Sequence, residues 1–173
     1  MVKKDSSSTR IEDEAIAQGI HNFERLKNQE NHSIKYQLTE SEINKIVALS
    51  KALRTGTQQL PDWAISYIHF VNQQIQAEQT QSQKDLAENW TKWKQKQIQN
   101  YRHDLKIQQD RISHPAQQSR YHRSLELNTE ISDKLEALGM KENIDECIFL
   151  GISLMYENLI LGATLPIVKD KQV

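Results

Sequence analysis

The chain is poor in the residues that punctuate or cross-link a fold: five glycines, three prolines and one cysteine among 173 residues. A single cysteine excludes an intrachain disulfide and suits a reducing, cytoplasmic compartment. Cys147 lies in "NIDECIFLGI" with no activating base pattern beside it, so a buried structural thiol is expected. With so few glycines there is no Gly-rich phosphate loop, and no nucleophile motif appears. The six histidines show no metal-ligand spacing and no adjoining cysteine or acid cluster, so neither a metal nor another cofactor is expected. Asp104 and Asp110 do not form a paired catalytic carboxylate set. The reading is that the chain is not an enzyme.

Long apolar runs are also missing, and nothing approaches the roughly 20 residues that span a bilayer. The opening "MVKKDSSSTR" has no apolar core after its lysines, which is not the form of a secretory signal. A disordered tail is expected over residues 1–10. Only 37% of residues are hydrophobic and 26% are charged, too polar a mix for one large core. Extended helices or self-association are the expected consequences.

What is present is unevenly distributed. The net charge of −1 conceals a basic segment. Residues 1–91 carry 10 basic and 12 acidic side chains, and residues 124–173 carry four and nine. Residues 92–123 carry eight basic side chains against two acids: Lys92, Lys94, Lys96, Arg102, Lys106, Arg111, Arg120 and Arg123. Such a run attracts polyanions.

Apolar spacing predicts a mainly helical chain. Ile11, Ala15, Ile16, Ile20, Phe23 and Leu26 form one helical stripe. In "LTESEINKIVALSKALRTG", Thr39 and Glu42 make a capping box and Gly56 is expected to close the helix. "LPDWAISYIHFVNQQIQ" places Pro61 in a first turn, where its missing N–H costs nothing. No Gly or Pro occurs from Asp62 to His114, which predicts one or two long helices with a break near "AEQTQSQ". Pro115 ends that run. Trp90 and Trp93, among lysines, fit a buried stripe better than a base-stacking surface. No internal repeat is legible.

The period changes in "RYHRSLELNTEISDKLEAL". Leu125 and Leu127 alternate with polar residues over about five positions, then Ile131, Leu135 and Leu138 fall at helical spacing. Gly139 is a plausible C-cap, and Asn143 an N-cap for a helix carrying Ile144, Ile148, Ile152, Met155 and Leu159. A lone strand leaves its backbone groups unpaired. The simplest partner is the same strand of a second copy.

This order of strand, helix and helix over residues 120–161 resembles the ribbon-helix-helix DNA-binding family, to which Arc and MetJ belong. The wider layout, with a helical region and a long basic helix ahead of that unit, resembles the MatP-type macrodomain-organising proteins. The resemblance implies one short strand per chain, paired antiparallel in a homodimer whose ribbon enters the major groove. It places His122, Ser124 and Glu126 on the base-facing side, and Leu125, Leu127, Ile131, Leu135, Ile148 and Ile152 in the dimer core. It also places Asn143 at a helix N-terminus that grips phosphate, beside the eight basic side chains. Two features depart from the family pattern: the turn reads "MKENID" without its usual Gly followed by Ser or Thr, and Glu126 is acidic.

The expected organisation is a tail at 1–10, a helical domain at 11–114, a linker at 115–119, the ribbon-helix-helix domain at 120–161 and a flexible tail at 162–173. The expected function is sequence-specific binding of double-stranded DNA by a cytoplasmic, nucleoid-associated homodimer. It would act as a transcriptional repressor or as an organiser of a plasmid or chromosome. The N-terminal helices would assist dimerisation, extend the DNA contact or recruit a protein partner; no membrane is involved. The rival reading is a non-enzymatic helical scaffold whose C-terminal unit only dimerises, favoured by the acidity of residues 124–173.

Overall fold

A computed structural model describes residues 33–77, 81–112 and 114–163 of the chain. The tail expected at 1–10, the stripe from Ile11 to Leu26 and residues 164–173 lie outside the described residues. The architecture is mainly helical with a small two-stranded antiparallel sheet. In chain order come β1 (Ser33–Gln37), α1 (Glu40–Leu53), α2 (Leu60–Ala77), α3 (Gln81–Arg111), the single turn α4 (Pro115–Gln118), β2 (His122–Glu126), α5 (Thr129–Ala137) and α6 (Ile144–Met155).

The strand expected near Leu125 is present, but its partner is β1 of the same chain. This corrects the expectations of one strand per chain and of a helix-only segment before residue 115. The register runs from Ser33 opposite Glu126 to Gln37 opposite His122, with Lys35 opposite Ser124 at the centre. The Leu38 N–H extends the ladder by donating to the Tyr121 carbonyl at 2.7 Å. β1 has the same alternation that marks β2: Ile34, Tyr36 and Leu38 turn inward between Ser33, Lys35 and Gln37.

The likeness continues beyond the strands. Each strand leads through one buried leucine (Leu38, Leu127) into an N-cap (Thr39, Asn128), a helix and then a second helix. A strand-helix-helix unit therefore occurs twice, and the long α3 lies between the copies. The two units share so few identical residues that no repeat is legible in sequence.

Local signals explain most boundaries. Thr39 Oγ1 accepts from the Glu42 N–H at 3.2 Å, and Glu42 Oε1 accepts from the Thr39 N–H at 2.9 Å, completing the expected capping box. Asn128 Oδ1 accepts from the Ile131 N–H at 2.8 Å. Gly139, at φ 67°, ends α5 in a Schellman turn: its own N–H reaches the Glu136 carbonyl and that of Met140 reaches Leu135. Gly56 does not end α1; Arg54 takes the left-handed conformation there, at φ 53°. The break expected near "AEQTQSQ" falls on residues 78–80, which lie outside the described residues.

One core joins both units. Tyr36, Leu38, Ile46, Leu49, Leu60 and Ile65 from the first pack with Leu125, Leu127, Ile131, Leu135, Ile148 and Ile152 from the second. The six residues expected in a dimer core are thus buried within a single chain, because β1, α1 and α2 supply the layer assigned to a second copy. The expected linker at 115–119 does not separate two cores. A second cluster, Ile68, Val71, Trp90, Leu150 and Leu154, fastens α3 to α2 and α6. From Cys147 to Met155 α6 is buried on all sides, with Cys147 fully enclosed and its thiol pushed up to about 12 by burial.

Glu42 is buried too, and desolvation raises its carboxyl to about 8 despite the bonds from Thr39. The folded chain therefore holds this proton more tightly than the unfolded chain. That contribution is fully present below the ordinary carboxyl value and is lost as pH rises towards 8. Glu42→Gln should flatten the fall in melting temperature between pH 5 and pH 8. An unchanged slope would remove Glu42 as its source.

Candidate nucleic-acid interface

The exposed face of the ribbon is set by strand alternation. Ser33, Lys35 and Gln37 stand beside their cross-strand partners Glu126, Ser124 and His122, opposite the inward Tyr36 and Leu125. His122, Ser124 and Glu126 therefore share one exposed face, as expected. Lys35 and Gln37 are functional candidates that a sequence reading misses, although the Ile34–Tyr36–Leu38 alternation carries the signal. A shallow depression beside the ribbon is lined by Lys35, Gln118, Ser119, His122, Arg123 and Ser124.

The end of β1 is braced by α3. Tyr101 Oη donates to the Gln37 carbonyl at 3.0 Å. Gln108 Nε2 donates to the Leu38 carbonyl at 2.9 Å, while Gln108 Oε1 accepts from the Glu40 N–H at 2.9 Å. Gln108 is buried, so its side-chain amide satisfies both backbone groups at the β1–α1 junction. Gln108→Ala leaves both without that partner and should cost about 2 kcal/mol. Urea denaturation checks this, and a change near zero would show that other groups or water replace the amide.

The basic residues on α3 separate by helix face. Lys92, Lys96 and Lys106 are exposed, and with His103 they recur at helical spacing along the outer side of α3. Lys94 is on the inner side. Its ammonium lies 5.4 Å from the centre of the Trp90 ring, and desolvation lowers its pKa. This placement opposes the phosphate role expected of it. Trp90 is buried, donates to Asn72 Oδ1 at 3.1 Å and stacks on Trp93 at 5.3 Å, so it belongs to the core.

Arg102 pairs with Glu146 at 2.8 Å and Arg120 with Glu40 at 2.9 Å; both arginines are largely exposed, where such pairs contribute little stability. Arg111 and Arg120 line a cleft of about 750 Å³ between the start of α1 and the end of α3. Arg123 is exposed at the ribbon's margin, where its guanidinium donates to the Arg120 and His122 carbonyls at 2.6 and 2.9 Å.

Asn143 precedes α6 without a side-chain capping bond. The first turn of that helix carries Asp145 and Glu146, and Asp145 Oδ2 accepts from the Gln37 N–H at 3.0 Å. These acids oppose an anion at the position assigned to phosphate. Glu126 also has acidic company: Asp62 is raised by burial first, then by Glu126 and Glu130.

Among the described residues no group of His, Cys, Asp and Glu could hold a metal ion, and no helix is long and apolar enough to cross a membrane. No protein-family model matches the chain, and neither curated proteins nor solved structures provide a match.

Proposed function

We propose that this chain binds double-stranded DNA sequence-specifically through a ribbon-helix-helix-like unit completed within one chain, as a nucleoid-associated regulator or organiser of DNA. The observation that carries the reading is the two-stranded ribbon: its exposed face is polar, is centred on Lys35 and Ser124, and is backed by helices and a shared core. A ribbon of this kind fits the major groove, where each base pair has a distinct donor and acceptor pattern. Lys35, Gln37, His122, Ser124 and Glu126 share the face that would meet base edges. Lys92, Lys96, Lys106, Arg111, Arg120 and Arg123 supply phosphate attraction, which positions without specifying. Pairing strands with a second copy is not needed to complete this ribbon.

A specific observation favours a helical interaction protein instead: acids stand at both the start of α6 and the Glu126 end of the ribbon. A gel shift of random duplex fragments by the full chain at low salt decides between them. Retarded fragments that are released as salt rises support DNA binding. If tens of micromolar protein leaves them unshifted, the scaffold reading stands.

A further inference from the structure

We propose that a single chain reads a non-palindromic DNA site, its two half-sites differing because the two strands of the ribbon differ. This rests on the DNA-binding reading above. The middle residue of β1, Lys35, pairs with the middle residue of β2, Ser124, and the register is even on both sides. Each strand is followed by a leucine, an N-cap and two helices. The backbone of the ribbon is therefore arranged about an approximate two-fold axis through the Lys35–Ser124 pair, and the same order of elements follows each strand.

The side chains break that symmetry. Under the two-fold, Ser33 corresponds to His122, Lys35 to Ser124 and Gln37 to Glu126, so no position on the exposed face has a chemically equivalent mate. A five-residue strand is roughly 17 Å long, about the rise of five base-pair steps at 3.4 Å each. One half of that span meets Ser33 and Glu126, the other Gln37 and His122. Only Gln37 offers a paired donor and acceptor of the kind that matches adenine, whereas Glu126 is acceptor-only and matches the cytosine amino group. A palindrome is the signature of a symmetric reader; this ribbon has the symmetric frame without the symmetric letters.

The test is selection of bound duplexes from a random library by the full chain, followed by measurement of chains bound per duplex. The expected result is an enriched motif that differs from its own reverse complement, bound by one chain, with roughly tenfold loss when either half is scrambled. The matching variant, His122→Ser with Ser124→Lys and Glu126→Gln, gives both strands the same residues on this face, with all three changes at exposed positions of β2. Its selected motif should become an inverted repeat. A palindrome bound by two wild-type chains would overturn the inference and leave DNA binding standing. Salt-sensitive binding with no enriched sequence would also overturn it while sparing phosphate attraction. Absence of any binding would remove the DNA reading and the inference together. If circular dichroism shows the triple variant unfolded, the wild-type motif and stoichiometry alone decide.

Discussion

Gly151→Ala should be among the most damaging conservative changes in the core, costing about 3 kcal/mol. In a chain of this size that corresponds to roughly 6–12 °C in melting temperature. The reason is the crossing of α2 and α6, where the two backbones approach at Gly151 and Ala64. A Cβ at Gly151 would overlap the Ala64 carbonyl and stand 2.6 Å from the Ala64 Cβ. Its neighbour is backbone, so no flexible side chain can give way. Separating the helices would open contacts on either side of the crossing, including Ile65, Ile148 and Ile152 in the shared core. Gly139→Ala is the comparison. It meets nothing within 4 Å and is penalised only by its left-handed φ, about 1 kcal/mol. Thermal melts of both variants should rank Gly151 well above Gly139 in cost. The reverse order would mean that α2 and α6 do not cross so closely.

Lys92→Gln, Lys96→Gln and Lys106→Gln together should weaken binding to all duplex DNA by a similar factor. The three side chains lie exposed along one side of α3. If each neutralises one phosphate, the log–log salt slope should fall by up to about 2.7. Lys94→Gln, two residues from Lys92 but on the inner face over Trp90, should leave that slope unchanged. Fluorescence anisotropy against a labelled duplex over a range of salt measures both. Equal slopes for the triple variant and the parent would assign the outer lysines to a solvated face. A lower slope for Lys94→Gln would mean that its ammonium leaves the tryptophan to meet DNA.

The candidate interface was partly legible in the residues. Alternation around Leu125 placed His122, Ser124 and Glu126 on one face, and the basic character of residues 92–123 was plain from composition. Lys35 does not stand out in sequence because its strand is short, polar in three of five positions and adjacent to a strong helix cap that dominates the local pattern. Charge density along the chain puts Lys94 with its neighbours, because it carries no information about helix face until the buried side is known. Trp90, Tyr101 and Gln108 define that side only through what they touch: Asn72, Gln37 and Leu38.

The parts of this protein decided by sequence alone are those whose causes lie within a few residues. Thr39 and Glu42 cap α1 because a hydroxyl and a carboxyl three residues apart reach each other's backbone N–H. Gly139 ends α5 because a left-handed φ is cheap without a Cβ, and the alternation at Leu125 and Leu127 makes a strand of β2. The partner of that strand was decided only by the tertiary structure. A strand's free N–H and C=O groups are the same towards any other strand, so its own residues do not say whether it pairs with a second copy or with Ser33–Gln37. That choice rests on the core. α1 and α2 bury Leu125, Leu127, Ile131 and Leu135 against Tyr36, Leu38 and Leu49 only when β1 lies beside β2, and α3 holds it there through Tyr101 and Gln108.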